Sequence, residues 1–167
     1  DNEMPLVTVE LRMRGGQLLE EPGRVGVANL LAQTMTEGTA TRTPAQLEEA
    51  IDLLGASISV SSGNENVSIR ASSLARNFGP TMAVVEEILL EPRYDPQQFE
   101  LARERIKSAL AQQASNPASI ASDVFSRLLY GDHILAANAL GTPAGLDAIA
   151  IPDLQAYHDH ALSPSLS

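Results

Sequence analysis

The chain contains no cysteine, so neither a disulfide framework nor a thiolate metal site can be built from it. That composition is compatible with either an oxidising or a reducing compartment. Basic side chains are scarce: 11 lysines and arginines stand against 21 aspartates and glutamates, a formal charge of −10. The balance argues against a surface for nucleic acid or anionic lipid, both of which need clustered cations. Apolar runs stay far below the roughly 18 residues of a membrane-spanning helix. There is no Gly-x-Ser-x-Gly elbow and no glycine-rich phosphate loop, so nucleophilic catalysis has no candidate. Carboxylate pairs such as Glu48-Glu49 and Glu86-Glu87 are adjacent on helical patterns and point apart, which leaves a glycosidase dyad unsupported.

What is present suits one domain with a sizeable core: 167 residues, 44% of them hydrophobic. We read residues 1–167 as that single domain. The chain starts without methionine at Asp1 and stops at Ser-Pro-Ser-Leu-Ser, which suggests an excised fragment whose leader could lie upstream. Val7, Val9, Leu11 and Met13 alternate with polar residues, the pattern of a half-buried strand ended by Gly15-Gly16. Arg12 and Arg14 then fall on its solvated face. Val27, Leu30, Leu31 and Met35 form one helical stripe, with Gly38 as its expected stop. Thr43-Pro44 starts a second helix over Leu47, Ala50, Ile51 and Leu54, stopped by Gly55. Ala56, Ile58 and Val60, a Gly63-Asn64 turn, and Val67, Ile69 and Ala71 predict an antiparallel hairpin.

Helical patterns dominate the remainder. Phe78, Met82, Val85, Ile88 and Leu89 form one; Pro96 opens a long one over Phe99, Ala102, Ile106, Ala109 and Leu110. Asn116-Pro117 opens another, with Ile120, Val124, Phe125, Leu128 and Leu129 expected inside and Gly131 at its end. Thr142-Pro143 and Ile151-Pro152 begin two short pieces. Strands early and helices late predict an α+β fold, a mainly antiparallel twisted sheet with helices packed on one face.

The block from Gly26 to Thr39, together with Arg14-Gly15-Gly16 before it and Leu53-Leu54-Gly55-Ala56 after it, resembles the pitrilysin, insulin-degrading enzyme and mitochondrial processing peptidase family. The family's zinc helix typically reads Gly-Leu-Ala-His-Phe-Leu-Glu-His-Met-Leu-Phe-Lys-Gly-Thr, and the two register without a gap. The resemblance extends from Leu6 to Pro164. In the family two histidines at i and i+4 hold zinc, and the glutamate between them is the general base for the attacking water. Here those positions are Asn29, Ala32 and Gln33. A glutamate on the long helix completes the family's site. The Arg103-Glu104-Arg105 landmark puts its counterpart at Leu110 or Ala111, while the run itself reads as a solvated face. Neutral amides are poor zinc donors beside imidazole, and alanine cannot take a proton.

The resemblance therefore implies a catalytically silent domain or subunit of a zinc metallopeptidase, with no cofactor of its own. Zinc is expected in a catalytic partner of the same family. The pair would enclose a chamber for peptide substrate, with the acidic excess favouring basic peptides. The substrate-touching arginine and tyrosine of some silent subunits have no counterpart here and would belong to a second, C-terminal copy. A structural subunit like the core proteins of respiratory complex III, and a zinc peptidase with atypical ligands, are the alternatives. Similarity to bacterial members favours the periplasm or cell envelope. An edge strand missing at either end would leave an edge able to pair two copies into a homodimer. Of the three histidines, His133 reads as a turn residue. His158 and His160, at i and i+2, point to different helix faces, so a metal tract is disfavoured for adventitious surface binding.

Overall fold

The computed structural model describes residues 5–161; the Ser-Pro-Ser-Leu-Ser tail and Pro164 lie outside them. Alternation in the first apolar run gives β1 (Leu6–Arg14), and the predicted hairpin gives β2 (Ser57–Ser62) and β3 (Asn66–Leu74). They form an antiparallel sheet ordered β1-β3-β2. The register sets Leu11 opposite Ile69 and Ile69 opposite Val60, so one face is an apolar row. One residue along, Glu10 lies opposite Arg70, and the other face carries charges and serines. Glu10 accepts from Arg70 at 2.8 Å and from Arg12 at 2.6 Å, which holds its carboxyl below the usual range. This is the period-2 division of a sheet covered on one side only.

The covering layer is helical: α1 (Val27–Met35), α2 (Pro44–Leu53), α3 (Phe78–Leu90), α4 (Pro96–Ala114), α5 (Pro117–Tyr130), α6 (Pro143–Ala148) and α7 (Ile151–Ala161). Short 3-10 turns occupy Gln17–Leu19, Ala75–Asn77 and Ile134–Ala136. The fold is α+β, as the sequence predicts. α1 lies at the centre, between β2, α4 and α7. Seven of its nine residues are buried, and the other two, Asn29 and Gln33, are half-buried one turn apart on a single face. Leu30, Leu31 and Met35 are inaccessible to solvent, each contributing about 1.5–3 kcal/mol of transfer free energy.

Starts follow their local chemistry. Thr43 and Gln46 form a reciprocal capping box before Pro44, and Asp95 accepts from the amides of Gln97 and Gln98 to begin α4. Three expectations need correction. α1 ends at Met35 rather than near Gly38; Thr34 turns its hydroxyl back onto the Leu30 and Leu31 carbonyls. Gly38, at φ +108°, instead shapes the following turn. Arg103 is not solvated: its guanidinium lies 4.5 Å from the Phe99 ring centroid and donates to Ile149 O. The apolar stripe of α5 is not inside. No residue of that helix is buried, and Leu128 is 81% exposed.

Candidate functional site

The end of β1 and the start of α1 build the site together. Gly26 precedes α1 with φ +109° and has no side chain to cap the helix. Glu20 supplies the missing acceptors from outside the helix. Its Oε2 accepts from Gly26 N at 3.1 Å and its Oε1 from Ala28 N at 2.8 Å, satisfying two of the donors that a helix start leaves open. Burial raises the Glu20 carboxyl to about 7, against the lowering effect of those two amides. Tyr157 of α7 donates to Gly16 O at 2.9 Å. Burial, with the Glu20 charge nearby, holds its phenol well above the ordinary range.

The four family-derived positions fall along α1 and α4. Asn29 is half-buried, and its Nδ2 donates to Ala139 O at 2.9 Å. Ala32 is buried within the helix layer. Gln33 is half-buried, one turn on from Asn29, as the i, i+4 spacing requires. Leu110 packs as a partly buried hydrophobe against the core, whereas Ala111 is exposed. Two amides, an alanine and a leucine do not make a zinc site: no imidazole or carboxylate is among them, and the leucine contributes to core packing. Among the described residues no three histidine, aspartate or glutamate side chains are grouped to hold a metal ion.

Beside these positions lies a polar cleft of about 290 Å³, lined by Gln17, Gln113, Asp123 and Asn138 together with the serines of α5. Ala139, whose carbonyl holds Asn29, also lines it, and Gln113 stands one turn beyond Leu110 on α4. Gln17 fixes the rim by donating from Nε2 to Ile134 O at 3.0 Å and Ala137 O at 2.8 Å. Asn138 Nδ2 donates to Gln113 Oε1 at 2.9 Å and Asp123 Oδ2 at 3.3 Å. Amides and hydroxyls that both donate and accept suit peptide groups, and among the described residues Asp123 is the only charged one lining the cleft.

Sequence reasoning missed Gln17, Asn138, the capping role of Glu20 and the cleft. A helix beginning at Gly26 without a side-chain cap was the one local sign that an acceptor had to come from elsewhere. His158 and His160 separate as their spacing implies, but of these two only His160 is at the surface. His158 is buried, with Nε2 2.8 Å from Leu89 O and its ring edge-on to Tyr94, which corrects the expectation of surface binding there. His133 Nδ1 accepts from Leu135 N at 3.3 Å, a turn role.

The family model described as Insulinase (Peptidase family M16) matches residues 1–143. An uncharacterized zinc protease of Mycobacterium leprae is 24% identical over 139 residues, covering 83% of this chain and 31% of its own length. A non-peptidase homolog, YmxG of Helicobacter pylori, is 25% identical over 152 residues, covering 91% and 35% respectively. Among solved structures, a peptidase M16 inactive domain from Pseudomonas fluorescens superposes with a TM-score of 0.87 at 21% identity, covering 95% of this chain and 39% of that one. The chain thus spans about a third of the length of the relatives it matches.

Proposed function

Because the chain belongs to the insulinase, or M16, family of peptidases, we propose that it is a catalytically silent member domain that grips peptide without cutting it. A zinc-bearing relative would supply the catalytic site, and the two would enclose a peptide chamber between them. The observation that carries this reading is the joint loss at Asn29, Ala32, Gln33 and Leu110, where every position with ligand or base duty in the family holds a side chain unfit for it. Names given to relatives, a non-peptidase homolog and an inactive domain, are in keeping with such a role. The cleft beside Ala139 is the proposed grip, with Asp123 favouring a basic residue in the bound peptide.

Elemental zinc on the purified chain after dialysis against trace zinc tests the silent half of the reading. Well under one zinc per chain is expected, and one tightly held zinc would sink it. The grip is tested by fluorescence anisotropy of a labelled basic peptide. Saturable binding that Asp123→Asn weakens is expected; binding indifferent to that change would remove the cleft from the proposal. Peptide cleavage that appears only on mixing with a zinc-bearing family member would complete it.

A further inference from the structure

α5 is an amphipathic helix seated with its apolar side outward. Ser119, Ser122, Asp123 and Ser126 line the polar cleft, while Ile120, Val124, Phe125, Leu128 and Leu129 are between 47% and 81% exposed. Ile120, Val124 and Leu128 make one i, i+4 ridge; Ala121, Phe125 and Leu129 make the next. We propose that this face is the interface of a two-fold homodimer, in which α5 of one copy packs against α5 of a second. The inference stands on the outward face alone and does not depend on the proposed peptide grip.

Three observations select a second copy. Two parallel ridges with a groove between them are self-complementary, because the ridge of one helix fills the groove of an identical helix turned about a two-fold axis. The five side chains of the patch carry no charge, and Asp123 lies on the cleft side, on a molecule of charge −10. Like patches therefore meet without local repulsion, and no basic cluster is present to recruit anionic lipid. The five side chains offer roughly 500 Å² per copy, the size of a functional patch on a monomer. A pair would bury about 1,000 Å², the lower bound for a specific interface. The cleft opens on the opposite side of α5 and stays accessible in the pair.

Sedimentation equilibrium across about 1–200 µM tests the proposal on the 167-residue chain. A reversible dimer is expected. Leu128→Glu and Phe125→Glu should each raise its Kd at least about 50-fold, since the new carboxylate would be buried unpaired. Leu53→Glu, an exposed apolar position on α2, should leave the Kd unchanged. These side chains face solvent within one copy, so circular dichroism should be the same for all variants. Because the chain has no cysteine, Val124→Cys adds a clean second measurement: oxidation should crosslink it faster than Leu53→Cys. A monomer throughout the range, or a dimer that survives both glutamates, overturns the proposal. So does a Val124→Cys rate no greater than the control, or a monomer whose α5 instead binds phosphatidylcholine vesicles.

Discussion

Glu20 serves α1 from six residues before Gly26, and the arrangement sets a pH dependence. Its carboxyl is raised from 4.5 to about 7 by burial. Between those values the unfolded chain has lost the proton that the native chain keeps, so stability falls as pH rises. The contribution is complete below pH 4.5 and is lost as pH passes about 7, a span worth up to about 3 kcal/mol. Urea unfolding at pH 5 and pH 8 should show this fall, and Glu20→Gln should flatten it. Ala32 gives a second prediction. Ala32→Glu alone places an unpaired carboxylate in a buried position and should cost about 2–4 kcal/mol in urea unfolding. Combined with Asn29→His, Gln33→His and Leu110→Glu, the same change should become zinc-dependent, with melting temperature rising on zinc addition. Asn29, Ala32 and Gln33 were legible as candidates because the helix block registers with the family motif without a gap, and Leu110 through the Arg103-Glu104-Arg105 landmark. The Glu20 cap was not, since a polar contact made across a loop leaves no periodic trace.

Among the elements, helix starts were the most legible features because their chemistry is local, whereas the stop expected at Gly38 was displaced. Thr43 is the clearest case, and Thr43→Ala should cost about 1 kcal/mol by loss of the cap. Gly141 shows the opposite situation. It lies at φ +82°, and a Cβ there would overlap the Val25 carbonyl, so Gly141→Ala should cost at least about 2 kcal/mol. The same change should also loosen the Ala139 carbonyl from Asn29, seen as faster amide exchange at the start of α1. Nothing around Gly141 in the sequence announces a contact with a segment more than 100 residues earlier. α5 marks a different limit. Periodicity located its stripe correctly, but a stripe records only that one side is apolar. The structure turns its serine side to the cleft, where Asn138 donates to Asp123.

The whole molecule is tied together through contacts distant in sequence. The layer order and the one-sided sheet could be read from alternation and turn residues, whereas the central place of α1 could not. That place depends on Gln17 reaching the carbonyls of Ile134 and Ala137, Asn29 reaching Ala139, Arg24 pairing with Asp153, and Tyr157 reaching Gly16. Each partner lies on the far side of α5. A chain ended at Gly131 should therefore keep local helicity but lose amide-exchange protection across α1, although every residue of α1 is present.

The Tyr157–Gly16 bond also bears on how the protein is made. Its two ends are 141 residues apart, and contacts of such separation form late, because the intervening chain must be ordered before they are rewarded. During synthesis α1 emerges before β2, α4 and α7, and the side that packs on α7 stays bare until that helix has been added. The nascent protein should thus be a client for chaperones that shield apolar segments, with release timed by the arrival of α7.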